Sequence, residues 1–416
     1  MGNDPDVPLP FFLFDVSRLI SRLGQGPLTG IDRVEAAWLS HLQDRPHLLV
    51  ARLGPVQAVL PPAAGADLLR WAAGDLATAP RATLLDRALR QTGLRARVKR
   101  ALVRRAVVRA GRSGRGLQAP VTRILPGATY LNVGHTNLDP PWLARMAWAR
   151  PAILIHDTIP LDHPEFTRAG QSALFRARLQ SALRHGATIA TISDATRADV
   201  LRWRDRFGIA GGAPVVVAPI GTTLAAPAPA HLPPDLDLSR PFFVALGTIE
   251  PRKNHALLLD AWDLLAQRLT PGTMPGLFIV GRRGWENAAT FARLDALPPG
   301  GPVRELNDLS DEAVAALITR AHALLMPSHS EGFGLPLTEA AARGTRVLAT
   351  PLPAARALLG DLATWLPPDD PAPWAAHVAE IASSPRDTLQ PMVVPGWSGH
   401  FQTISNAVIS QASARN

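Results

Sequence analysis

Short runs of consecutive apolar residues recur along the first half of the chain, at 11–14, 47–53, 152–155, 188–192 and 215–217, with longer stretches of helical character between them. Unbroken Val, Ile, Leu and Ala runs mark strands covered on both faces. Parallel neighbours need a helical crossover, so the pattern predicts a parallel α/β domain. The alternation stops at Gly221. Residues 222–240 hold four prolines and no period of either kind, which reads as an interdomain linker. A second set of runs follows at 242–246, 277–280, 323–326 and 346–349, separated by helical stretches such as 256–267 and 311–321. The expected organisation is a Rossmann-like domain over residues 1–221, the linker, and a second such domain over 241–390. A terminal segment, 391–416, carries Trp397 and a weak helix over 401–412, and is free to cross back to the first domain. Doubly wound sheets bind ligands beyond the carboxyl ends of their strands, which predicts a site in a central cleft faced by both domains.

Composition narrows the classes. At 416 residues, with 47% apolar and 19% charged, the chain is too long for one core and too apolar for disorder. It contains no cysteine, which excludes disulfide scaffolds, thiol nucleophiles and thiolate metal centres and fits a reducing compartment. Asp4 and Asp6 stand where an export signal needs positive charge, and no run of 18 apolar residues occurs; a cytoplasmic protein is expected. The net charge of +9 is local, because residues 87–115 hold eleven cations and no acid. Within that tract Leu94, Val98, Leu102 and Ala106 recur every four residues, so a helix there would carry an apolar stripe among arginines. Such a helix suits the anionic inner face of the cytoplasmic membrane, or equally a solvated cover on its own domain. No aromatic side chain interleaves with the arginines, so nucleic acid is not an expected partner.

Two constellations carry candidate chemistry. In SHSEGFGLPLTEAAARG, residues 328–344, a strand runs into a glycine-containing turn and then a helix opened by Pro336, whose free N–H groups suit an anion or a hydroxyl-rich ring. Glu331 and Glu339 lie eight apart, two acceptors able to hold two parts of one polyhydroxylated ligand. They are also what a solvated turn and a helix-dipole partner would look like. In GTIEPRKN, residues 247–254, Arg252 and Lys253 stand at a helix entrance, a diphosphate site or a solvated basic pair. Lys253 is notable because the chain has only two lysines against 41 arginines, and a compact ammonium is suited to a point charge against phosphate.

Together with LFIVGRRGW at 277–285 and LNDLSDEAVAALITRAHALLMPS at 306–328, these segments resemble, in order and wording, the carboxyl-terminal domain of family-4 glycosyltransferases, retaining enzymes of GT-B fold that use nucleotide sugars. The resemblance covers residues 242 to about 368 and leans toward mannosyltransferase-like members of bacterial polysaccharide assembly. It implies that Glu339 bonds the donor ribose and Glu331 the hydroxyls of the transferred sugar. Gly247, Gly332, Phe333, Gly334 and Leu335 would border the sugar and phosphates with their backbone, and Arg252 with Lys253 would clamp the diphosphate. In the first half, PLTGIDRVE at 27–35 is similar to the glycine loop that closes over the donor phosphate, with Gly30 alone where many relatives carry a pair; it is also an ordinary helix start capped by Thr29. AILIHDTIPLDHPE at 152–165 puts His156 at a strand end, where the resemblance makes it a hydrogen-bond partner near the reacting centre and the residue alone reads as structural. Ala357 replaces a glutamate frequent in relatives.

The implied activity is transfer of a hexosyl unit, with mannosyl the mild preference, from a GDP- or UDP-sugar to a saccharide or lipid-linked saccharide. No metal or other cofactor is required on this reading, since Arg252 and Lys253 take the charge-neutralising role. Asp235 and Asp237 spell a metal-binding string but lie in the linker without a preceding strand. His156, Asp157, Asp162 and His163 lack ligand spacing. The alternatives are a GT-B epimerase or phosphorylase, and a non-catalytic basic adaptor for membrane or nucleic acid.

Overall fold

The computed structural model describes residues 10–28, 30–83, 87, 92–285 and 287–413. Asp4, Asp6 and Thr29, singled out above, lie outside them, as does Arg90 of the basic tract. The chain divides into two compact units. The first gathers the residues through Thr158, Ala173–Ile220 and the segment from Trp397 onward; the second gathers Ile159–Ser172 and Gly221–Gly396.

The first unit is built on eight strands: β1 (Phe12–Asp15), β2 (His47–Leu53), β3 (Val56–Leu60), β4 (Val108–Gly111), β5 (Thr129–Asn132), β6 (Ala152–Ile155), β7 (Thr188–Thr191) and β8 (Val215–Val217). They lie in the order β4-β3-β2-β1-β5-β6-β7-β8. β3 pairs antiparallel with both β2 and β4, and the remaining pairs are parallel, with Leu13 opposite Leu48 and Tyr130. The helix Trp397–Ser413 completes this unit. Trp38 Nε1–H donates to His400 Nε2 (3.0 Å), His400 Nδ1 lies 2.9 Å from the Ala218 carbonyl, and Phe401 stacks on His41 at 4.0 Å. Both ring nitrogens of His400 are thereby satisfied in a neutral tautomer, and burial pushes its imidazole down to about 4.

The basic tract is not one helix. A helix spans Leu94–Arg105, Ala106 lies beyond its end, and β4 follows as an antiparallel edge. Val98 and Leu102 are fully buried. Arg105 pairs with Asp67 at 2.6 Å, and Arg95 donates to the Ser21 carbonyl. The buried part of the stripe therefore faces the unit's own core, because an amphipathic helix beside a sheet buries its apolar side there first. Among the described residues no helix is long and apolar enough to cross a membrane.

The second unit holds β9 (Phe242–Leu246), β10 (Gly276–Val280), β11 (Val303–Leu306), β12 (Ala323–Met326), β13 (Arg346–Ala349) and β14 (Ala363–Trp365), all parallel, in the order β11-β10-β9-β12-β13-β14. Alternate residues of each strand feed two cores. Phe243, Ala245 and Ile279 pack with Trp262 and Trp374 on one face; Val244, Phe278 and Met326 pack with Leu317 and Leu337 on the other. Residues 222–240 are not a free linker. Leu236 is buried in the second core, the Ala228 amide donates to the Glu312 carbonyl (3.0 Å), and Asp235 pairs with Arg304 (2.8 Å). Their prolines suppress periodic structure, yet the interspersed leucines still anchor the segment.

Candidate functional site

Counted from β9, the strand order of the second unit reverses between β9 and β12. At such a reversal the loops leaving two neighbouring strands turn in opposite directions and open a crevice at the carboxyl ends. GTIEPRKN leaves β9 and SHSEGFG leaves β12. The sheet thus delivers both sequence constellations to one place.

The loop after β9 begins at Gly247, whose φ of +148° is accessible to glycine at little cost. A Cβ there would press within 3.1 Å of Lys253 Cε and 3.3 Å of its Nζ, so the missing side chain makes room for the lysine stem. Gly281, at the end of β10, lies against the Gly247 carbonyl, where any Cβ would overlap it. The loop then makes a 3-10 turn, Pro251–Lys253, and Asn254 at φ +55° reverses into the helix His255–Ala266. Asn254 Nδ2 donates to the Pro327 and Pro368 carbonyls, and the His329 amide donates to the Arg252 carbonyl (2.8 Å), which binds the two loops together.

Across this seam Lys253 Nζ donates to Glu331 Oε1 (2.5 Å) and Arg252 Nη1 to Glu331 Oε2 (3.0 Å). Arg252 Nη1 also donates to the Ser330 carbonyl (2.9 Å), while its Nε is 2.6 Å from Glu250 Oε1. The side chains of Lys253 and Glu331 are 9% and 8% exposed, so this is a buried ion cluster and not a surface pair. Burial drives the Glu331 carboxyl up, but Lys253 and Arg252 outweigh it and hold it down at about 2. Burial draws Lys253 below the ordinary ammonium range, with Glu331 pulling the other way. Burial raises Glu250, against the pull of Arg252 and Lys253. His255 is buried and its imidazole, pushed down to about 3, is neutral.

The rest of the glycine turn leads into the helix Leu335–Ala341. Gly334 precedes it at φ +94°, Phe333 is buried, and Gly332 lies between Glu331 and Phe333. Glu339 is buried on that helix, where it partly offsets the lowering that burial imposes on Arg343. Arg252, Lys253 and Glu331 are therefore in direct contact, and Glu339 follows on the adjoining helix.

Gly30 and His156 belong to the first unit. Gly30, at φ +44°, precedes the helix Ile31–Leu42 and its carbonyl accepts from the Arg33 amide (3.1 Å). His156 follows β6 and is 4% exposed. Its Nε2–H reaches the Val133 carbonyl (2.7 Å), which leaves Nδ1 as the acceptor, and its amide donates to His135 Nε2 (3.0 Å). Burial pushes its imidazole to about 3, so it is neutral and has no proton to give as an acid at neutral pH.

Sequence reading missed Glu250, whose signal is an acid two residues ahead of Arg252 across a proline. It also missed the buried polar network of Asp15, Gln57, Tyr130, Asn132 and Asn137, in which Tyr130, the chain's only tyrosine, donates to Asp15 (2.9 Å). Asp235 and Asp237 are bonded to Arg304 and Arg240. Among the described residues no three His, Asp or Glu side chains are gathered as a metal ion would need.

Residues 233–392 match the family described as Glycosyl transferases group 1, and the second unit carries a domain of that type. Serotype-specific mannosyltransferase WbdA of Escherichia coli is 30% identical over 248 residues, spanning 57% of this chain and 30% of that protein. O-antigen chain mannosyltransferase B of Escherichia coli is 28% identical over 245 residues, 56% of this chain and 61% of that one. The matched stretch thus spans under a third of the first relative and under two thirds of the second. A crystal structure of Anabaena Alr3699/HepE in complex with UDP and glucose superposes with a TM-score of 0.55 at 13% identity, over 98% of this chain and 95% of that one. The architecture, two parallel-sheet α/β units, is that of the GT-B glycosyltransferases.

Proposed function

We propose that this protein is a retaining glycosyltransferase moving a hexosyl unit, mannosyl in our reading, from a nucleoside-diphosphate sugar to a saccharide or lipid-linked saccharide during polysaccharide assembly. The observation that carries the proposal is the buried meeting of Lys253 and Arg252 with Glu331 at the strand reversal of the second unit. On this reading the two cations take the donor diphosphate, Glu331 accepts from hydroxyls of the sugar, and Glu339 accepts from the ribose. Gly247 and the backbone from Gly332 to Leu335 border the phosphates and sugar, and Gly30 belongs to a loop similar to the glycine loop of the family. The carbon–oxygen bond to the diphosphate breaks with both electrons leaving on oxygen, and the sugar becomes oxocarbenium-like. The acceptor hydroxyl bonds to the anomeric carbon on the same face and passes its proton to a phosphate oxygen of the leaving group. The protein's part is orientation and charge stabilisation. His156, neutral and with its Nε2–H held by the main chain, acts here by accepting a hydrogen bond. The mannosyl preference rests on the names of the similar proteins.

The test is a thermal-shift panel of GDP-, UDP-, ADP- and dTDP-sugars followed by transfer assays with and without a saccharide acceptor. The expected result is stabilisation by a nucleotide sugar, turnover that requires the acceptor, and loss of turnover in Glu339→Ala. Turnover without an acceptor assigns the protein to epimerase or phosphorylase chemistry, and wild-type transfer by Glu339→Ala overturns the ribose assignment. Contact with an anionic membrane, where it occurs, is electrostatic, through the exposed arginines of residues 87–115.

A further inference from the structure

The cations assigned to the diphosphate are, without ligand, already bonded to the carboxylate assigned to the sugar. Glu250, Arg252, Lys253 and Glu331 form a cluster whose charges cancel, in surroundings where Lys253 and Glu331 are nearly closed to water. A diphosphate arriving at Arg252 and Lys253 brings uncompensated negative charge beside Glu331, and like charges at contact in a low-dielectric site cannot both persist without new partners. Two responses are chemically available. Glu331 exchanges its cationic donors for hydroxyl donors, or it takes up a proton. A nucleotide sugar supplies the hydroxyls. A free nucleoside diphosphate supplies none, and its terminal phosphate carries a further ionisable oxygen.

Resting on the functional reading above, we propose that Glu331 is the residue by which this site distinguishes a nucleotide sugar from the nucleoside diphosphate left after transfer. With the sugar present, Glu331 leaves Lys253 for the sugar hydroxyls and stays ionised. Once the sugar is gone, Glu331 faces the diphosphate without donors, must bind a proton for the product to remain, and otherwise re-forms its bonds to Lys253 and Arg252 as the product departs. The charged groups facing Glu331 are Lys253, Arg252 and Glu250; His255, beside Lys253, is neutral. Glu331 holds its proton weakly in the unliganded protein, which makes proton uptake on product binding a large and readable change.

The experiment is isothermal titration calorimetry at pH 7 in buffers of different ionisation enthalpy. The full chain is titrated with the pairs GDP-mannose and GDP, and UDP-glucose and UDP. For the pair that binds, the wild type is expected to take up about one proton with the nucleoside diphosphate and close to none with the nucleotide sugar. In Glu331→Gln the uptake disappears, the nucleoside diphosphate binds at least about tenfold tighter, and the nucleotide sugar binds more weakly. Equal proton counts for both ligands in the wild type overturn the inference without need of any variant, as does an equal change of both affinities in folded Glu331→Gln. Failure of the underlying reading looks different: Lys253→Ala then binds both ligands as the wild type does, or neither pair binds at all.

Discussion

Removing one partner of the Lys253–Glu331 pair and then both measures what the buried cluster contributes. Lys253→Met leaves Glu331 with Arg252 alone, 3.0 Å away, and gives the cluster a net negative charge. Glu331→Gln leaves two cations with only Glu250 to balance them. Breaking a buried ion pair on one side costs roughly 3–5 kcal/mol, and since one counter-ion remains in each single variant we expect about 3 kcal/mol for either. In the double variant Glu250 and Arg252 still balance each other, so the total is expected at about 3 kcal/mol and not twice that, a coupling of about 3 kcal/mol. With two units the chain need not unfold in one step, so the assay is hydrogen exchange read on the amides of β9 and β12. Each single variant should lower protection there about a hundredfold, and the double should be no worse. Additivity within about 0.5 kcal/mol refutes the contact. The pH dependence has a definite sign. The native Glu331 carboxyl, at about 2, lies below its ordinary 4.5, so its contribution is complete above pH 4.5 and is lost as pH falls from there toward 2. Glu331→Gln should lack that component.

Four further outcomes follow from the same structure. Gly247→Ala combines a φ of +148° with a Cβ pressing on Lys253, so we expect a folded protein destabilised by about 1–3 kcal/mol whose nucleotide affinity in calorimetry falls. Gly281→Ala, which drives a Cβ into the Gly247 carbonyl, should instead expose the second unit to proteolysis. His156, His255 and His400 are held neutral, at about 3, 3 and 4, and each must take a proton on unfolding below its ordinary 6.5. Stability is therefore lost on acidification, by about 2 kcal/mol per imidazole between pH 7 and 5, and an unchanged urea midpoint over that range would contradict this burial. Because Val98 and Leu102 face the unit's own core, binding to vesicles containing anionic lipid should vanish in 0.5 M salt, where the Debye length is about 4 Å against about 30 Å at 0.01 M; salt-resistant flotation would mean that an apolar face does reach the bilayer.

The α/β class and most strands were legible because parallel strands buried on both faces must be apolar throughout, as at 152–155 and 242–246. Five strands were not. β4 mixes Arg109 with small residues, β11 reads Val-Arg-Glu-Leu, β3 is interrupted by Gln57, the central β5 is bounded by Thr129 and Asn132, and β14 is three residues long, so none of them shows the continuous run that marked the rest. Arg252, Lys253 and Glu331 were legible as residue types near strand ends. Their mutual contact was not, since 78 positions separate Lys253 from Glu331 and only the strand reversal between β9 and β12 removes that distance. Glu250 went unread because an acid at a strand end is ordinarily solvated, and only the 3-10 turn brings Arg252 back onto it. Residues 222–240 misled for a similar reason: proline content reports the absence of repeating hydrogen bonds, while burial of Leu236 depends on a core supplied from elsewhere.

The helix Trp397–Ser413 lies against Trp38 and His41, residues that leave the ribosome more than 350 positions earlier. During translation the first unit emerges early yet stays unfinished, its Trp38 face bare, while every strand of the later unit is already out. The second unit is thus free to fold ahead of the first. A stop codon immediately ahead of residue 397 would keep the second unit whole and leave the first without its closing helix.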